Sequence, residues 1–160
     1  MTRNITHQEL ADHAAQLFMQ GYNCGQAVFV TFAQHYGLSH DDAMRLSAAL
    51  GGGLGRQRLT CGAVTAMALV AGLELGNTRP GDTERQNACF AATREMTEAF
   101  KQQYGSAICG EILGLKGYAK ADGPAHHQPI PEQYRGRPCA LKVKLAAAIL
   151  AQRFPHDDTK

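Results

Sequence analysis

The chain has 160 residues, 44% of them hydrophobic, and a formal net charge of only +2. That length allows a sizeable core within one domain, taken here as residues 1–160, and the composition excludes a disordered chain. The weak charge, with no local Lys/Arg run, excludes a nucleic-acid footprint, and the opening MTRNITHQEL lacks the apolar region of a secretory signal, so a cytoplasmic protein is expected.

Thr6 and Glu9 form a T-x-x-E capping box, and Leu10, Ala14, Leu17 and Phe18 recur at helical spacing, predicting a first helix that ends near Gly21. Asn23 is a competent N-cap for a second helix, CGQAVFVTFAQHY, stopped by Gly37, with Cys24 at its first position. Ser39 caps a third, whose first turn carries Asp41 and Asp42, and which runs into the glycine loop at Gly51. Between Gly62 and Leu73 there is no charge at all, which predicts a central helix buried all round, capped by Thr60, presenting Cys61 in its first turn and stopped at Gly76. That apolar run is about half of what a bilayer requires, so no membrane span is expected. A buried helix of this kind suits a homo-oligomer seam as well as a monomer core.

After the Pro80-Gly81 turn, Asp82 caps a long helix to about Tyr104, stopped by Gly105, with Cys89 in its middle, in step with Met96 and Phe100. Ser106 reads as the cap of a short helix that has Cys109 in its opening turn and Gly114 at its end. A long irregular stretch, about 116–137, contains Pro124, Pro129, Pro131 and Gly136; its length marks a lid or a disordered tongue. Pro138 then starts the last helix, with Cys139 beside it and Leu141, Leu145, Ile149 and Leu150 on the inner face. No segment reads as a strand. The expected fold is all-α, a single-domain bundle of about six or seven helices with one long loop before the last.

The five cysteines are odd in number and widely spaced, without C-x-x-C, which argues against a disulfide framework and a thioredoxin-type motif. Cys24, Cys61, Cys109 and Cys139 all fall in the opening turn of a predicted helix, whereas Cys89 reads as a core filler. A helix start carries roughly half a positive charge and unpaired N–H donors, both favouring the thiolate. An interaction of about 0.3–1 kcal/mol lowers a thiol pKa by only some tenths, so cations must supply the rest. Arg56 and Arg58 precede Cys61, and Arg137 precedes Cys139. Several thiolates brought together repel one another unless they stay thiols, pair as disulfides or hold a cation. The four cysteines are therefore candidates for redox chemistry, with zinc or iron–sulfur ligation as the alternative use of the same set.

Other features read more plainly. Gly51–Gly55 with Arg56 is an incomplete nucleotide motif and is expected to let two helices turn tightly. His126 and His127 are read as solvated loop residues rather than metal ligands or proton shuttles, His13 and His35 as water-facing, and Glu111 as a surface carboxylate.

Cys24 in GYNCGQAV, the loop GGGLGR leading into CGAVTA, Cys109 in a G-S-x-x-C segment and Cys139 opening the last helix together resemble the C-GCAxxG-C-C family of putative redox-active proteins. The resemblance runs from about Gly21 to Leu150 and makes Cys24, Cys61, Cys109 and Cys139 the counterparts of the family's four cysteines, with Cys89 extra. The chain departs from the family motif at Ala66, where a glycine is expected. The resemblance implies redox or electron-transfer chemistry without naming a substrate or partner.

Three readings follow. In the first, a cytosolic thiol oxidoreductase uses Cys61 as nucleophile and Cys24 as resolving thiol. In the second, the four cysteines hold iron–sulfur or zinc; in the third, the protein is a helical interaction module with structural cysteines and no cofactor.

Overall fold

The computed structural model describes residues 5–118 and 131–156, and His126 and His127 lie outside them. Seven α-helices are formed among the described residues: α1 His7–Met19, α2 Cys24–Ala33, α3 His40–Ser47, α4 Gly62–Leu75, α5 Thr83–Tyr104, α6 Cys109–Ile112 and α7 Ala140–Arg153. Single 3-10 turns extend α2 to Tyr36 and α3 to Leu50. No strand is formed among these residues, and the one antiparallel bridge pairs Thr60 with Ile108. The fold is all-α.

Local chemistry explains most boundaries. The Thr6–Glu9 box closes in both directions, with Glu9 N–H donating to Thr6 Oγ1 at 3.1 Å and Thr6 N–H donating to Glu9 Oε2 at 2.8 Å. Asn23 and Gln26 form a second such box at the start of α2. Ser39 and Asp82 cap α3 and α5, and Gly37 and Gly105 stop their helices in the left-handed region.

Three expected starts move. Thr60 does not cap α4: it is held extended in the bridge to Ile108, and Cys61 takes the N-cap position. Ser106 does not cap α6. Its hydroxyl accepts from Ile108 N–H at 2.9 Å and donates to Glu111, and Ile108 is the cap residue. Pro138 and Cys139 form a turn, and α7 begins at Ala140.

The helix at the centre is α2, not α4. Eight of its ten residues are buried, and it packs against α1, α3, α4 and α7. Its polar groups are satisfied: Thr31 Oγ1 donates to Ala27 O at 2.8 Å within the helix, and Gln26 Nε2 donates to Met44 O of α3 at 3.2 Å. By contrast α4 buries Ala63, Ala66, Met67, Val70 and Ala71 but leaves Leu69 and Leu73 each 37% exposed, so its uncharged sequence does not mean burial all round. The inner face of α7 also differs from expectation. Ala140, Val143, Ala146, Ala147 and Leu150 are buried, while Leu141, Leu145 and Ile149 sit half-buried at the flanks. Small residues there let α7 lie close against α1, which presents Ala11, Ala14 and Ala15.

Candidate functional site

The starts of α2, α4, α6 and α7 converge. Cys24 is the first residue of α2, Cys61 the N-cap of α4, Cys109 the first residue of α6 and Cys139 the N-cap of α7. All four line a single cavity of about 510 Å³, together with Arg56, Arg58, Arg137 and Lys142. Cys89, midway along α5, does not line it. No disulfide is formed, and all five thiols are free.

Backbone pairing brings two of the starts together. Cys61 N–H donates to Ala107 O at 2.7 Å, Cys109 N–H to Leu59 O at 2.6 Å and Gly110 N–H to Arg58 O at 3.0 Å. This short antiparallel contact ties the entry of α4 to that of α6. The start of α2 is fixed to the end of α3 by Asn23 Nδ2, which donates to Ala48 O at 2.8 Å. Between α2 and α4 the approach is close enough to require glycine. A Cβ on Gly62 would lie 2.6 Å from Cys24 Sγ and 2.6 Å from Leu50 O.

The glycine loop does more than turn the chain. Gly52, Gly53, Leu54, Gly55 and Arg56 have consecutive φ values between 59° and 70°, and Arg58 follows at 64°. L-residues pay about 1–2 kcal/mol for that conformation, so three non-glycine residues in it mark a strained segment. Hydrogen bonds hold it, among them Arg56 N–H to Gly51 O at 3.1 Å and Arg58 N–H to Gly52 O at 3.0 Å. The result is that both arginines reach the cavity wall.

Electrostatics at the four sulfurs is uneven. Burial pushes the Cys61 thiol up to about 12, with repulsion from Cys24 adding to it, despite weak help from the Ala63 and Val64 N–H groups. This runs opposite to the activation expected of Cys61 from its helix start and preceding arginines: at 5% exposure, desolvation outweighs a helix end. Cys24 is also raised, by burial first; N–H groups of Gly52 and Gly25 pull it partly back, and Cys139 and Cys109 repel it. Arg58 Nη1 lies 3.8 Å from Cys109 Sγ, within reach of a weak N–H···S bond.

One cavity residue, Lys142, and one neighbour, Tyr104, extend the sequence reading. Lys142 lies three residues after Cys139, a spacing that shares a helix face, and its Nζ is 5.1 Å from the Tyr104 ring centroid. Tyr104 is pushed up to about 12 by burial and by the charges of Cys139 and Cys61. Arg137 donates to Phe18 O, with its guanidinium 4.0 Å from the Phe18 centroid.

The model of the family described as "Putative redox-active protein (C_GCAxxG_C_C)" matches residues 22–153. The chain belongs to this C_GCAxxG_C_C family. No curated protein and no solved structure matches it. The four cysteines that line the cavity, Cys24, Cys61, Cys109 and Cys139, all fall within the matched residues. Ala66 is fully buried in the core. Among the described residues no three Cys, His, Asp or Glu side chains are grouped closely enough to hold a metal ion. No described helix is long and apolar enough to cross a membrane. His13 and His35 are both exposed, as expected, and His35 also stacks on His156 with centroids 4.4 Å apart.

Proposed function

We propose that this C_GCAxxG_C_C protein is a cytosolic thiol–disulfide redox protein whose working thiols are Cys109 and Cys24. The observation that carries the reading is that four cysteines, scattered over 116 positions of sequence from Cys24 to Cys139, line one cavity. Cys109 is the attacking thiol, because its side chain is only partly buried and its sulfur lies 3.8 Å from the Arg58 guanidinium. Cys24 resolves, because it lines the same cavity as Cys109 and its side chain is likewise only partly buried. Cys139 is the second candidate to attack, and Cys61 serves as a buried reserve rather than as nucleophile. Free thiols in odd number suit a reducing compartment.

The zinc or iron–sulfur alternative uses the same four cysteines, but among the described residues no three Cys, His, Asp or Glu side chains are grouped closely enough to hold a metal ion. The interaction-module alternative makes the cysteines filler, and three of the four are only partly buried.

Titration of the reduced protein in thiol–disulfide redox buffers, with bridges mapped by mass spectrometry, tests the reading. One reversible two-electron transition within the cavity set, chiefly Cys24–Cys109, is expected. If no intramolecular bridge forms at any poise, the reading fails.

A further inference from the structure

The cavity is cationic as well as thiol-lined. Among the described residues Arg56, Arg58, Arg137 and Lys142 line it, and no Asp or Glu does. Among the described residues the ion pairs lie elsewhere, and none joins any of these four to a carboxylate. Two of the four are presented by left-handed backbone, at φ 62° for Arg56 and 64° for Arg58, a conformation that disfavours any L side chain. Uncompensated cations around a concavity focus its field and raise the local concentration of anions.

We propose that the oxidant taken by this site is a small disulfide carrying carboxylate groups. The inference rests on the thiol–disulfide reading above and adds the substrate class to it. The volume, about 510 Å³, lies in the range of sites for small organic molecules, and a lone inorganic oxyanion would fill little of it. The cations come from two separate segments, the glycine loop and the start of α7, which suits a molecule with negative groups on both sides of a sulfur–sulfur bond.

The chemistry closes without another reactant. The Cys109 thiolate attacks one sulfur of R–S–S–R, forming Cys109–S–S–R while R–S⁻ leaves and takes up the proton that Cys109 released. Cys24, as thiolate, then attacks the Cys109 sulfur, forming Cys24–Cys109 and expelling the second R–S⁻, which takes up the proton of Cys24. Two protein thiols are oxidised and one disulfide is reduced to two thiols.

The test uses the reduced full-length chain with three disulfides: dithiodiglycolate, which is dianionic, bis(2-hydroxyethyl) disulfide, which is neutral, and cystamine, which is cationic. Rates of intramolecular bridge formation are normalised to each disulfide's rate with 2-mercaptoethanol. The anionic probe is expected to lead the neutral one by about tenfold or more, and the lead to shrink between about 10 and about 500 mM salt. Arg56→Gln should lower the anionic-to-neutral ratio several-fold, and Arg56→Lys should keep it. Equal normalised rates for all three probes, with the bridge still forming, overturn the anionic substrate and leave the thiol–disulfide reading standing. So does a lead that neither salt nor Arg56→Gln reduces. No bridge with any probe overturns both.

Discussion

A methyl group at Gly62 has nowhere to go. Its carbon would lie 2.6 Å from Cys24 Sγ, 2.6 Å from Leu50 O and 3.2 Å from Gly25 N. Two of these atoms are backbone, and Leu50 O also accepts the Leu54 N–H bond, at 3.2 Å, that opens the left-handed segment. Relief therefore requires the starts of α2 and α4 to separate or the loop to shift. Overpacking of this kind costs about 1–3 kcal/mol, while the helix-propensity gain of Gly→Ala is at most about 1 kcal/mol and smaller at a helix start. The steric term wins, and Gly62→Ala is expected to lose about 1–2 kcal/mol. For an m-value of about 2 kcal/mol/M, the urea midpoint should fall by roughly 0.5–1 M with m unchanged. Because Cys24 Sγ is one of the displaced atoms, its alkylation should also quicken. A variant as stable as the parent, with unchanged Cys24 reactivity, would mean that these helix starts do not touch, and the gathering of cysteines would lose its basis.

Three further outcomes are expected. Brief alkylation at pH 8 with peptide mapping should label Cys61 last, since a thiol at about 12 is ionised there to about one part in ten thousand, against roughly a quarter for a free thiol near 8.5; labelling as fast as Cys109 would contradict its burial. Asp12→Asn should remove the 2.8 Å contact to Lys144 that joins α1 to α7, at a cost of less than about 1 kcal/mol because both groups are partly exposed. Asp12 is lowered by the hydrogen bond from Lys144, so its contribution is present above the unfolded carboxylate value, near ~3.9, and is lost as pH falls through the lower folded value. Lys144 is raised by the same bond, so the pair persists until pH rises through its raised value; a difference between variant and parent that survived strong acid would refute the assignment. Phe32→Ala, at a fully buried position of α2, should cost about 3–5 kcal/mol, whereas Leu69→Ala, 37% exposed on α4, should cost under about 1 kcal/mol; equal losses in thermal unfolding would restore α4 as the central element.

Capping residues were legible because a cap acts within four residues of chain. Thr6, Asn23, Ser39 and Asp82 start their helices as their side chains require, and Gly37 and Gly105 stop theirs. Thr60 and Ser106 have equally good cap chemistry but were claimed by other partners, the bridge to Ile108 and the Glu111 carboxylate. Apolar character likewise marked α2 and α4 without ranking them, since burial depends on which neighbours arrive. Lys142 was within reach of the spacing argument from Cys139, whereas the left-handed backbone of Leu54, Arg56 and Arg58 leaves no trace in residue types that ordinarily avoid it.

The amino-acid order by itself determined an all-α chain and put Cys24, Cys61, Cys109 and Cys139 at helix starts, because hydrophobic period and capping are local. Only the tertiary structure decided that those starts share one cavity, that four cations line it, and that Cys61 is too deeply buried to ionise readily. Desolvation and the fields of distant segments depend on distances through space, and those are set only when the helices pack.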